Sequence, residues 1–290
     1  MFTKDRLITS LFLLLSLVLV GHFVYVCIGW NVVVSLSDWK GLAPSYNIVG
    51  FDQYSKLFHD QVFLISLKNN LISILLFVPG TLFLGLFLAI LLDLKVRGEG
   101  VFRGIYLLPF ALSFVVTATL WAWMYFDAGV INTLLVKTGL EFLKSRWIGE
   151  PNIALYCVVL ALTWQFAGYT MLIFLAGIRS IPESQIMAAE VDGASGFDLY
   201  RRVVIPQLKA PALSAFVVLM VFALKAFDFI FVLTEGGPGY STYVLALMMF
   251  RETFSRDHYA YGAAIATILF LLAVVIVVPY LYLSFRREKE

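Results

Sequence analysis

Residues 7–37 contain no aspartate, glutamate, lysine or arginine. A stretch that long and that apolar has few folded options. A helix of about 20 apolar residues crosses roughly 30 Å of hydrocarbon, and lipid offers no partner to backbone groups left outside such a helix. Five later stretches repeat the pattern, so the chain is read as six transmembrane helices at about 9–29, 70–93, 104–126, 153–178, 211–234 and 260–283. Composition supports this along the whole length: 61% of the 290 residues are hydrophobic and 14% charged. A soluble domain is nearer one half and one quarter. The predicted fold class is an all-α polytopic membrane protein, a single transmembrane domain over residues 1–290.

The first run is read as a retained span. Lys4 and Arg6 give it a positive start. Its apolar part, however, far exceeds the roughly 7–15 residues of a cleaved signal, and Tyr25-Val26 before Cys27 lacks the small residues of a processing site. Cys27 and Cys157 both fall in apolar stretches and are expected to be small buried side chains, with no disulfide framework.

An even number of spans puts both termini on one side. That side collects Lys4, Arg6, Lys95, Arg97, Arg103, Arg179, Arg201, Arg202, Lys209, Arg286, Arg287 and Lys289. The other collects Lys40, Lys56, Lys68, Lys137, Lys144, Arg146, Arg251 and Arg256, in more loop. The positive-inside rule makes both termini cytoplasmic, and with them the loop 180–208.

That loop reads SIPESQIMAAEVDGASGFDLYRRVVIPQL from Ser180 to Leu208. Ser180 and Glu183 have the spacing of a capping box, and Pro182 is tolerated where first-turn amides lack partners. Glu183 to Val191 holds good helix formers, and Asp192-Gly193 ends the run, glycine being free to turn left-handed. Ser195 with Asp198 repeats the capping pattern for a second helix, Phe197, Tyr200 and Val204 share one of its faces, and Pro206 is expected to stop it.

The stretch resembles the cytoplasmic EAA loop of binding-protein-dependent ABC importer permeases, in particular the carbohydrate-importer family. Ile181, Pro182, Ala188, Ala189, Asp192, Gly193, Ala194, Ser195, Ile205, Pro206 and Leu208 match or lie near that family's pattern. The resemblance implies a type I ABC importer transmembrane-domain fold. It also implies a loop that docks on a separate ATP-hydrolysing subunit, with Met187, Ala188, Ala189, Glu190, Asp192, Gly193 and Ala194 as the coupling residues. The glutamate that names the motif falls at Met187 here; Glu190, three positions on, is the candidate to take its place.

Further matches extend over residues 30–280. SLSDWKG (Ser35–Gly41) and VGFDQYSKLFHD (Val49–Asp60) resemble the family's first external segment. Trp30, Trp39, Phe51 and Tyr54 there would equally suit a water–lipid boundary. KVRGEGVFRG (Lys95–Gly104) and YLLPF (Tyr106–Phe110) fit as well, although Arg97 and Arg103 are explained by a basic cytoplasmic edge. Pro79-Gly80 marks an expected kink in the second span. An amphipathic piece near Ile131–Leu143 is expected in the external loop 127–152. Trp164, Gln165, Gly168 and Tyr169 resemble a signature of the fourth span, in which Gln165 either bonds a neighbouring helix or meets solute.

Lys225 and Asp228 lie inside the fifth span, where a charge costs roughly 2.5–3.5 kcal/mol at the bilayer centre and must face protein or water. At i, i+3 they share a helix face and could pair, as a structural ion pair or as part of a pathway. The family resemblance places this helix along the translocation path. Trp164, Gln165, Tyr169, Lys225 and Asp228 are the candidate pathway residues. Gly236-Gly237-Pro238 reads as an extramembrane turn.

Catalysis finds no support. There is no glycine-rich loop with Lys-Ser/Thr to cradle a nucleotide, and His22, His59 and His258 are far apart and beside no metal-ligand spacing. No metal or cofactor is expected, ATP belonging to a partner subunit. A net charge of +2 without a basic run implies no nucleic-acid partner. A secondary transporter or channel is the rival reading, but it needs its own coupling-ion site, and no internal repeat is evident. The resemblance implies ATPase subunits, a second homologous permease, an extracytoplasmic solute-binding protein and a carbohydrate solute, all at the cell membrane.

Overall fold

Every long apolar run is helical. In this computed structural model residues 3–94 and 96–287 are described, with side chains described between 9 and 279. Lys4, Arg6, Lys95, Arg286, Arg287 and Lys289 of the charge count fall outside the described side chains. In chain order the helices begin with α1 (Thr3–Ser35), α2 (Asp52–His59), α3 (Gln61–Asp93) and α4 (Glu99–Ala111). There follow α5 (Phe114–Tyr125), α6 (Val130–Lys137), α7 (Ala154–Arg179), α8 (Glu183–Val191) and α9 (Phe197–Gln207). The last four are α10 (Lys209–Leu224), α11 (Phe227–Leu233), α12 (Leu245–Phe250) and α13 (Tyr259–Arg287). Five stretches among the described residues are long and apolar enough to cross a membrane, or six if α9 and α10, bent by 66° at Leu208, count as one.

Two compact units emerge, residues up to 60 with 248–270, and 61–247 with the rest of α13. In the first, none of the apolar window of α1 is buried. Asn31 ties the end of that helix to α13, donating to the Ala263 carbonyl at 3.1 Å and to Thr267 Oγ1 at 3.0 Å. Cys27 is exposed on α1, against the expectation of burial, because that helix has little of its own chain to bury against; Cys157 is buried. The residues of the SLSDWKG pattern are tied into this unit. Asp38 accepts from Ser45 and Asn47, which holds its carboxyl below the usual range, and Trp39 stacks on Tyr259 at 4.9 Å. His258 Nδ1 lies 2.9 Å from the carboxylate of buried Glu252, which accepts there and which Arg256 also pairs.

In the second unit α7 is the central helix, lying along α3 and α4. Small residues let these helices close up, as is usual in membranes where there is no hydrophobic drive between helices. At Gly168 an added Cβ would fall on the Tyr106 carbonyl, 2.6 Å from its carbon, and at Gly85 it would lie 2.6 Å from Thr170. α3 runs unbroken through Pro79 for 33 residues.

Two expected spans are divided. The third, expected over 104–126, breaks at Leu112 and Ser113, both extended (ψ 148° and 153°). Pro109 lies inside α4, three residues ahead of the break. Ser113 then caps α5, its Oγ accepting from Val116 N–H at 3.3 Å. The fifth, expected over 211–234, breaks at Lys225 and Ala226 (ψ 15° and 46°), and no glycine or proline marks the place. Past α11 the Gly236-Gly237-Pro238 turn forms, but the chain then re-enters the core. Thr242 to Leu247 are buried. Asn69 donates to the carbonyls of Tyr240 and Tyr243, each at 2.9 Å, and Asn70 accepts from Leu245 N–H at 2.8 Å. These two amides lie on a helix that starts at Gln61, nine residues before the expected 70, and is buried in places from Phe63 onward. The expected amphipathic piece is α6 followed by a 3₁₀ turn over Glu141–Leu143.

Candidate functional site

Two places gather the residues singled out in the sequence. The first is the 180–208 loop. α8 ends in a Schellman motif: Gly193 sits at φ +89°, its N–H donates to the Glu190 carbonyl at 3.0 Å, and Ala194 N–H to the Ala189 carbonyl at 2.9 Å. The start of α8 departs from the capping box. Its cap is Pro182 with no side-chain hydrogen bond, and Ser180 Oγ donates instead to the Gly177 carbonyl at 2.7 Å. The sharp end of α7 takes that hydroxyl first. Ser195 does not cap the second helix either; Gly196 holds that position without a side-chain bond. Pro206 lies in the last turn of α9, which runs on to Gln207, and the break comes two residues after the proline, at Leu208.

The loop has an anchored side and a free side. Val204 and Leu208 are buried with Ala89, Leu92, Met171, Phe174, Leu175 and Ile178, and Ile181, Ile186 and Tyr200 pack against that cluster. Outward, Met187 is 54% exposed, Val191 87% and Phe197 75%. Met187 and Val191 are one turn apart on one face. Ala188, Glu190, Asp192 and Gly193 are exposed beside them, and Ala189 and Ala194 are half-buried. Glu190 makes no ion pair among the described residues.

The second place is where the two broken spans meet. A cavity of about 360 Å³ is lined by Phe110, Leu112, Ser113, Phe114, Val115, Gln165, Phe166, Phe222 and Asp228. Phe166 is the hub of its aromatic wall, with ring centroids 4.8 Å from Phe222, 5.5 Å from Phe77 and 5.6 Å from Phe110. Gln165 is 2% exposed, and its Nε2 donates to the Leu112 carbonyl at 3.2 Å. That carbonyl is one the break leaves without a helical partner, so the bonding role has an address. Oε1 of the same amide is buried with no partner among the described residues.

Lys225 and Asp228 do not form the ion pair that i, i+3 spacing allows. The break between them ends the shared helix face; both are exposed, and they line an adjoining pocket with Phe77, Phe114 and Phe166. Trp164 and Tyr169 are outside both linings. Trp164 meets Trp121 at 5.7 Å, and Tyr169 stacks on Phe110 at 4.9 Å. The sequence reading passed over Phe110, Phe114, Phe166 and Phe222, since single phenylalanines in apolar helices carry no local signal.

Gln165→Leu is expected to cost about 1–3 kcal/mol of stability, the penalty of leaving a buried carbonyl unsatisfied. Thermal unfolding of the detergent-solubilised protein checks it. Unchanged unfolding with impaired transport would give Gln165 to the solute instead.

A family model described as the binding-protein-dependent transport system inner membrane component matches residues 81–289. The chain belongs to that family. This permease is 64% identical over 281 residues to a probable ABC transporter permease protein of Pyrococcus horikoshii, covering 97% of this chain and 96% of the other. It is 46% identical over 273 residues to the xylose/arabinose import permease protein XacH of Haloferax volcanii (93% and 86% covered). To the trehalose/maltose transport system permease protein MalF of Thermococcus litoralis it is 31% identical over 277 residues (95% and 92%). A chain from the crystal structure of a bacterial ABC transporter involved in import of the acidic polysaccharide alginate superposes with a TM-score of 0.80 at 23% identity. That match covers 98% of this permease and 96% of the alginate-transporter chain. The fold is therefore that of an ABC-importer transmembrane domain.

Proposed function

We propose that this permease forms half of the translocation pathway of an ATP-driven importer for a sugar or related carbohydrate. In this reading it works with a second homologous permease, separate ATPase subunits and an extracytoplasmic solute-binding protein, in the cell membrane with both termini cytoplasmic. The observation that carries the reading is the 180–208 loop, anchored on one side and presenting Met187, Val191 and Phe197 on the other. On the side that the positive-inside rule assigns to the cytoplasm, such a surface suits the cleft of a separate ATPase. The absence of a nucleotide-binding motif in this chain fits a division of labour.

The solute class is supported by relatives named for xylose/arabinose and trehalose/maltose transport. The cavity chemistry agrees: aromatic rings suit the C–H faces of a sugar, and Asp228 with the Gln165 amide suits its hydroxyls. ATP binding closes the ATPase dimer and shifts the docked loop as a rigid body; the spans follow and the cavity opens outward to solute from the binding protein. ATP biases the spans only through contacts that differ between the two states, and the loop makes them.

The test is to purify the tagged chain with the ATPase and permease encoded beside it. Stoichiometric ATPase, with hydrolysis that Val191→Asp abolishes, is the expected result. A chain that is stable alone and transports in liposomes without ATP would make it a secondary transporter.

A further inference from the structure

One hydrogen bond joins the loop directly to the end of α3, across 107 residues of sequence. Tyr200 Oη donates to Asp93 Oδ2 at 2.7 Å. Tyr200 opens the π-helical turn Tyr200–Val204, and Asp93 is the last residue of α3. The bond is bedded in apolar packing, with Leu92 and Val204 buried on either side of it. Burial first, and then Asp93 itself, push the Tyr200 phenol above its usual range, so it remains a donor at any physiological pH.

We propose that Tyr200 and Asp93 are positioning residues, a strut that imposes displacement of the 180–208 loop on α3. This rests on the ATPase-coupling reading above. Packing alone lets helices slide past one another, whereas a hydrogen bond fixes length and direction. α3 is the element such a strut should move. It is continuous from Gln61 to Asp93 and carries Phe77, which lines the pocket with Lys225 and Asp228 and touches Phe166. At 1.5 Å per residue the 16 positions from Asp93 to Phe77 set the two ends about 24 Å apart. Movement at the loop would thus reach the aromatic wall through one rigid rod. Arg179 at the end of α7 holds Glu99 at the start of α4 at 2.8 Å, so the neighbouring helix ends are tied in pairs as well.

The experiment uses the assembled complex in liposomes and reads solute moved per ATP hydrolysed. Tyr200→Phe is expected to keep the ATPase bound and hydrolysing while that ratio falls about fivefold or more, the lower end of common coupling between sites. Asp93→Asn, which keeps an oxygen acceptor, should stay near the wild-type ratio. With Cys27 changed to serine, the pair Tyr200→Cys and Asp93→Cys should be uncoupled as free thiols and recover when a short bismaleimide joins them. Recovery by a covalent link is what a merely stabilising contact would not give. An unchanged ratio in Tyr200→Phe, or no recovery on cross-linking, overturns the strut while the coupling reading stands. A wild-type chain that holds no ATPase overturns both.

Discussion

Gly168→Ala is expected to destabilise the permease more than any other single-methyl change considered, by about 1–3 kcal/mol or beyond, as overpacking of a closed interface does. The new methyl would lie on the Tyr106 carbonyl, and its next neighbour is the Leu107 Cα at 3.1 Å. These are backbone atoms of α4, so no rotamer can move aside and the whole helix must shift away from α7. That shift would also draw Leu112 from Gln165 and open the cavity wall. Gly104→Ala is the matched control. It lies in α4 with nothing within 4 Å of the added carbon, and should be neutral or stabilising by about 0.5–1 kcal/mol. Thermal unfolding in detergent compares the two; equal effects would remove the close approach of α4 and α7 as an explanation.

Gly193→Asp is expected to leave the fold standing and cut solute-stimulated ATP hydrolysis by about tenfold or more, within the usual range of coupling between sites. At φ +89° a side chain is strained by about 1–3 kcal/mol, though aspartate and asparagine tolerate the left-handed region best. The added carboxylate would stand next to Asp192 at the carboxyl end of α8, where the helix dipole already disfavours negative charge. It would also project from an exposed bend of the loop. Gly193→Asn, of equal size and without the charge, separates strain from electrostatics and should retain most of the stimulation. Full stimulation in the aspartate variant would remove this bend from the ATPase contact.

The parts legible from sequence are those governed by local chemistry. An uncharged run must be a membrane helix, and Asp192-Gly193 had to end α8 because glycine alone turns left-handed freely. Where a local rule failed, a nearer partner had won. Ser180 matches a capping box, but its hydroxyl bonds back to Gly177 at the end of α7. The break at Lys225 and Ala226 has no glycine or proline to announce it. The cavity is made by Phe110, Phe114, Phe166 and Phe222, which come from separate helices, and only the fold can show that phenylalanines scattered over 113 positions share one wall. The re-entry of Thr242–Leu247 is of the same kind: six residues are too few to span, and it is Asn69 and Asn70 that seat them.

The bare first helix has a consequence for how this sequence can drift. With none of its apolar window buried, α1 gives natural selection little shape to read at Leu11, Phe12 or Leu17. Exchanges among leucine, valine and phenylalanine there alter only which hydrocarbon faces outward. What is held constant is composition, and a saturation library over residues 11–26 should return any apolar residue and reject charge. Asn31 should stand out from that background, as the single amide through which α1 grips Ala263 and Thr267.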